Sequence, residues 1–190
     1  MGASVMASLP KPLDYAAYRK TPEIKRRYDI VDGEWLFMSP APDSLHQETV
    51  GEIYLLLKQH IERHDLGKVY VAPFDVIISR SPMRTRQPDV LYVATVRLHL
   101  VSNAMHGGPD LAVEVLSPGN TERQIRHKLA DYAAVGAREA WIADPRRKTI
   151  RVLHPAEGEF RLTAMFKAGG RLRSRVLPRL RLAVERAFPR

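Results

Sequence analysis

No cysteine occurs in the 190 residues, which excludes disulfides, thiolate nucleophiles and cysteine-based zinc sites and suits a reducing cytoplasm. No apolar run approaches the roughly 20 residues of a membrane span. The opening MGASVMASLPKPLDY also lacks the basic start and long apolar centre of a secretory signal. A cytoplasmic protein with no membrane partner is expected. Internal repeats, low-complexity tracts and Gly/Ser linkers are missing too. The expectation is therefore a single domain over 1–190, with 1–26 as an N-terminal extension and 166–190 as a basic C-terminal segment. Acidic residues are scarce: 21 Asp and Glu face 30 Lys and Arg, for a formal charge of +9. That balance favours polyanionic partners, nucleic acid first.

What is present suffices for a core, since 45% of the residues are hydrophobic. The excess charge is concentrated. From Phe166 onward, eight Lys or Arg oppose the single Glu185, leaving about +7 of the net charge in the last segment. In RLRSRV, Arg171, Arg173 and Arg175 recur at period two, which in a strand lines one face with guanidinium groups. Two readings stand: a solvated edge strand protected by its charges, or a phosphate-binding surface.

The pattern of elements is mixed α/β. YDIVDGEWLFM places two apolar stretches around Asp32-Gly33, predicting a hairpin with strands near 27–31 and 34–38. Pro40, Pro42 and Asp43 break it, and Ser44 with Gln47 reads as a capping box for a helix to about His64. KVYVAPFDVIIS is β-rich with a bend at Pro73, SPMRTRQP reads as a loop, and PDVLYVA and DLAVEVL read as strands. Thr121 with Gln124 is a second capping box, and Ile125, Leu129, Tyr132 and Ala133 carry a helix that ends near Gly136. REAWIAD, KTIRVLHP and EFRLTAMF complete the strands. A central mixed β-sheet flanked by helices is predicted.

Glu114 interrupts the apolar strand LAVEVL. A buried carboxylate with no partner costs several kcal/mol, comparable to a protein's whole stability, so something must compensate it. If QPDVLYV and LAVEVL are neighbours, Asp89 and Glu114 meet at one sheet edge. Two carboxylates, with the backbone carbonyl of Val115, form a partial site for a hard divalent cation, which would also hold the Glu114 pKa down. Lys128 lies about 60° from Ile125 and about 40° from Tyr132 around its helix, at the margin of the buried face. It either reaches inward or snorkels over apolar surface. His46 shares a helix face with Val50, Ile53 and Leu57, as a core histidine or as a ligand or base. Glu34 flanks the hairpin turn and reads as a solvated charge or a site member.

In this order, YDIVDGEW, the His-led helix, QPDVLYV, DLAVEVLSPGN, the helix with Lys128 and AVGAREAWIADP resemble the Uma-type family of restriction endonucleases, within the PD-(D/E)XK nuclease superfamily. The resemblance runs from about Tyr28 to Asp144. It implies a restriction-endonuclease-like core, with the superfamily's aspartate at Asp89 and its acidic partner at Glu114. The superfamily's lysine normally sits two residues after that acid, where this chain has Leu116; the family's displaced lysine matches Lys128. His46 and Glu34 match the family's His and Glu, and Gln124 stands where members often carry Asp. The implied activity is metal-dependent hydrolysis of DNA phosphodiesters, with Mg2+ or Mn2+ at Asp89 and Glu114 and no nucleotide cofactor. Arg84, Arg86 and the C-terminal arginines would hold the DNA backbone, and a homodimer would suit the cutting of two strands. Two alternatives remain open: a nuclease-fold binding module with little turnover, and a metal-dependent hydrolase of another phosphate ester.

Overall fold

The computed structural model describes residues 12–22, 24, 28–37 and 43–189. Met38, Pro40, Pro42 and most of the N-terminal extension lie outside them. A short helix α1 (Tyr15–Tyr18) comes first, followed by β1 (Tyr28–Val31) and β2 (Glu34–Phe37). Asp32 (φ 53°) and Gly33 (φ 81°) are both left-handed, the conformation of a two-residue type I′ turn, so the expected hairpin forms. Helix α2 (Ser44–Arg63) starts at a different cap from the expected one. Asp43, not Ser44, is the N-cap, and its carboxylate accepts the His46 N–H at 2.9 Å. An aspartate both accepts that hydrogen bond and places negative charge at the positive end of the helix dipole.

Next come β3 (Gly67–Val71), β4 (Val76–Arg80), β5 (Met83–Arg86) and β6 (Val90–Ala94). The strand β5 corrects the expected loop in SPMRTRQP. Met83, Thr85 and Arg86 are buried, and β5 pairs antiparallel with both β4 and β1. Its arginines, which disguise it in the sequence, are neutralised by carboxylates described below. After β7 (Met105–His106) and β8 (Leu111–Val115) comes α3 (Glu122–Ala134), opened by the expected Thr121–Gln124 capping box. The chain continues through β9 (Glu139–Asp144), β10 (Thr149–Ala156), β11 (Glu159–Lys167), β12 (Arg171–Leu172) and β13 (Leu182–Ala183).

The larger sheet has six strands in the order β11-β10-β9-β8-β6-β3, with a parallel β8–β9 pair among antiparallel neighbours. A second sheet, β2-β1-β5-β4-β7, was not anticipated as a separate layer. Because strand side chains alternate, each face of the six-stranded sheet has its own partner. Val113, Val115, Trp141, Ile150 and Val152 pack with Val50, Ile53 and Leu57 of α2. Ala140, Ile142 and Leu153 pack with Ile125 and Leu129 of α3. The sheet is therefore flanked by helices, as predicted.

The basic C-terminal segment is more than a charged appendage. Leu172, Leu177, Leu180, Leu182, Val184 and Phe188 are buried in the α2-side core. Glu139, fully buried on β9, anchors this segment by accepting hydrogen bonds from the Arg175 backbone N–H (2.8 Å) and Trp141 Nε1 (2.7 Å), with His154 Nε2 at 2.9 Å. The expected arginine strand in RLRSRV is correspondingly short. Only Arg171–Leu172 is extended in a ladder, although Arg171, Arg173 and Arg175 are all exposed.

Candidate active site

Strands β6 and β8 bring the two carboxylates together. Their antiparallel register runs Tyr92↔Leu111, Leu91↔Ala112, Val90↔Val113. One step further sets Asp89 abreast of Glu114, on the sheet face that α3 covers. Both are buried, at 2% and 3% exposure. The Val115 backbone N–H donates to Asp89 Oδ2 at 2.7 Å and fixes that carboxylate against the end of β8. His46, in the first turn of α2, approaches from the other side, with Nε2 3.5 Å from Asp89 Oδ2. His46 Nδ1 is buried without a hydrogen-bond partner among the described residues.

Glu114 has two partners from α3. Lys128 Nζ donates to Oε2 at 2.6 Å, and the Tyr132 hydroxyl donates to Oε1 at 2.5 Å. Lys128 and Tyr132 are one turn apart, so a single helix face presents both donors. The lysine thus reaches inward, as one of the two sequence readings required. Burial pushes the Glu114 carboxyl up and Lys128 pulls it down, while the charge of Asp89 pushes it up again; the net direction is upward. For Lys128, burial lowers the pKa, but the carboxylates of Glu114, Asp29 and Asp89 outweigh it and hold the amine above its ordinary value. Burial and the adjacent Glu114 carboxylate keep Tyr132 protonated.

A second ion-pair network sits alongside and corrects the expectation for two arginines. Arg86 is 5% exposed; its Nε donates to Asp131 at 2.6 Å and its NH1 to Asp29 at 2.8 Å. Arg84 bridges Asp131 (3.1 Å) and Asp32 (2.5 Å). Arg86 is thus a buried counter-ion, which removes it from a phosphate-binding surface, whereas Arg84 is partly exposed and bridges the buried Asp131 to the exposed Asp32. Glu34 is exposed on β2, at the outer edge of the second sheet, and none of the described bonds joins it to Asp89 or Glu114. Gln124 is occupied as a helix cap, its Oε1 accepting from the Thr121 N–H at 2.8 Å. Arg171, Arg173 and Arg175 lie on the C-terminal segment.

Asp89 and His46 face a cleft of about 1020 Å³ that also exposes Asp75, Gln87 and several aromatic rings. Asp29, Asp75, Gln87, Asp131 and Tyr132 are site or near-site groups that sequence reasoning passed over. Asp29 in YDIV and Asp75 in FDVII carried the same signal as Glu114, a carboxylate inside an apolar run. Residues 14–185 match the Uma2 family, described as "Putative restriction endonuclease".

The chain belongs to the Uma2 family. Among curated proteins none matches it. A solved structure from Anabaena variabilis ATCC 29413, described as "a putative nuclease belonging to DUF820", superposes on this Uma2 member with a TM-score of 0.77. The match covers 93% of this chain and 98% of that one at 16% identity, so the likeness is one of fold. The shared α/β fold and the Asp89, Glu114 and Lys128 cluster therefore coincide in one Uma2 chain.

Proposed function

We propose that this protein is a metal-dependent nuclease that hydrolyses phosphodiester bonds, with DNA as substrate. The observation that carries the reading is the return of Lys128 from α3 to Glu114, with Asp89 abreast in the neighbouring strand. A binding module has no need of two buried carboxylates backed by a buried cation, which are costly to desolvate.

The donor chemistry suits a hard divalent cation. No group of three or more His, Asp or Glu among the described residues forms a metal cluster, but magnesium commonly takes one or two carboxylates and completes its shell with water and substrate phosphate. A carboxylate offers about four lone-pair sites, so the bonds from Lys128 and Tyr132 leave oxygen capacity on Glu114. Asp89 and Glu114, with the Val115 carbonyl as a third oxygen, would hold Mg2+ or Mn2+. The ion would polarise the scissile phosphate and lower the pKa of a bound water. Lys128 then supplies positive charge where the phosphorane-like transition state gathers negative charge. Tyr132 keeps Glu114 aimed, and His46, beside Asp89, orients water or takes its proton. Glu34, exposed on the hairpin, is kept as an outlying candidate for orienting water. The phosphate backbone would run over Arg171, Arg173 and Arg175, which position a strand without reading its sequence.

The test incubates supercoiled and linear DNA with magnesium, manganese or EDTA. Wild type is set beside Asp89→Asn, Glu114→Gln and Lys128→Met. Cutting should require the metal and fall by at least about 100-fold in each variant. Wild-type binding without cutting under any metal, or cutting that survives the carboxylate variants, would sink the assignment.

A further inference from the structure

The cleft that holds Asp89 and His46 has a second wall that the hydrolytic reading leaves unused. Tyr15, Tyr18, Tyr28, Trp35 and Phe74 line it, each only partly buried. On one side the tyrosines and Trp35 pack against the Ile30, Ile77 and Met83 core; the other side faces the cleft. Two of the rings are pinned by a buried carboxylate. The Tyr18 and Tyr28 hydroxyls both donate to Asp75 Oδ2, the latter at 3.3 Å. Gln87 Nε2 donates to Asp75 Oδ1 at 2.9 Å and holds the anchor itself. Trp35 stands edge-on to Tyr28, with centroids 4.8 Å apart and planes at 78°. Tyr15 lies 6.1 Å from Tyr18, with the Arg80 guanidinium 4.6 Å from its ring centre. Burial and the Asp75 charge keep both anchored hydroxyls protonated, pushing Tyr28 up to about 12, so the anchorage persists at any physiological pH.

Phe74 stacks on Tyr70 and Trp35 on Phe37, so each has one face engaged; rings held in fixed orientations and partly open to a cleft are nonetheless platforms for flat π systems, because every nucleobase has a π face and stacking requires no sequence match. A duplex hides those faces in its own stack, so only an unpaired or extruded nucleotide can present one. The volume, about 1020 Å³, is at the upper end for a small-ligand pocket and leaves room for more than one nucleotide. We propose that this aromatic wall takes unstacked bases of the substrate strand, so that the protein acts on single-stranded or locally unpaired nucleic acid and draws the backbone past Asp89. The inference rests on the nuclease reading for the role of Asp89, but the base pocket itself needs no turnover.

The test measures binding in EDTA, where no cutting occurs. Fluorescein-labelled strands of about 12 nucleotides are compared: single-stranded DNA, RNA of the same sequence, the DNA duplex, and an abasic DNA with the same phosphates. Tryptophan fluorescence is read alongside anisotropy. The chain has two tryptophans, and Trp141 is fully buried, so quenching reports Trp35. The single strand should quench Trp35 and bind about 10-fold or more tighter than the abasic strand, and tighter than the duplex. Trp35→Ala and Tyr15→Ala should each remove most of that advantage, while Trp35→Phe, which keeps a ring, should retain binding. Thermal melts establish that each variant is folded. Quenching by only DNA or only RNA identifies the strand and sustains the proposal. Equal binding of abasic and normal strands, or a duplex that matches the single strand, overturns it. Magnesium-dependent cutting without base-dependent binding removes the pocket and leaves the nuclease reading; base-dependent binding without cutting does the reverse.

Discussion

Glu114 is the residue on which chemistry and stability meet. Its two donors, Lys128 and Tyr132, make separate demands that can be measured separately. Tyr132→Phe removes a fully buried hydroxyl and leaves one carboxylate oxygen short of a donor, which should cost about 1–3 kcal/mol in urea unfolding. Lys128→Met strands the buried carboxylate and should cost about 3 kcal/mol, whereas Lys128→Met combined with Glu114→Gln should recover much of it. A strictly additive double variant would mean that the pair is not coupled. Lys128 also sets an alkaline limit. Its folded pKa lies above the ordinary 10.5, so its contribution is complete below about that pH and is lost as pH rises through the raised value. Unfolding measured against pH should show a steeper alkaline decline in wild type than in Lys128→Met. At this scale the sequence was informative where a charge broke an apolar run: Glu114 was legible, whereas helical spacing left Lys128 at the margin of the buried face and only the family resemblance turned it inward. Tyr132 was hidden because a tyrosine at a buried helical position looks like core, and only the three-dimensional path of α3 reveals its hydroxyl at Oε1. The partners of Arg84 and Arg86 were hidden for a similar reason, since Asp29 and Asp131 are separated from them by 45 residues or more.

At the scale of elements, the first turn of α2 does double duty. Asp43 caps the helix by accepting the N–H of His46, the residue whose ring meets Asp89. Asp43→Ala should lower stability by about 1 kcal/mol and, by loosening that turn, reduce cutting more than Ser44→Ala does; melts and the cleavage assay read the two effects. Helical periodicity marked α2 and α3 within a residue or two, but the cap of α2 lay one residue earlier than expected because Asp43 and Ser44 are both good caps. Strand β5 was illegible for a different reason. MRTR reads as exposed and charged until tertiary structure brings Asp29 and Asp131 to its arginines, an override of local propensity by distant partners. The five-stranded sheet, into which β5 fits centrally, could not be separated from the larger one by pattern alone.

Across the whole molecule, positive charge and apolar burial share the same C-terminal residues. The arginines of RLRSRV face outward while Leu172, Leu177 and Leu180 fill the core beneath α2. Deleting everything after Gly170 exposes the part of the α2-side core that these residues cover. At roughly 1.5–3 kcal/mol for each large apolar side chain, the loss is comparable to a whole typical margin of about 5–15 kcal/mol. The truncated chain should lack a cooperative melt and near-ultraviolet dichroism; a sharp native-like transition would show that the segment is dispensable. The clamp at Glu139 extends this point into synthesis. Domains assemble as they leave the ribosome, at about 5–20 residues per second, yet the N–H that satisfies Glu139 belongs to Arg175, and Phe188 lies in the same core. The sheet carrying Asp89 and Glu114 therefore keeps part of its α2-side apolar face uncovered until translation has passed Phe188. A ribosome stalled before Phe188 would hold a sticky, unfinished sheet, and the cluster of Asp89, Glu114 and Lys128 would lack its rigid support until that residue is made.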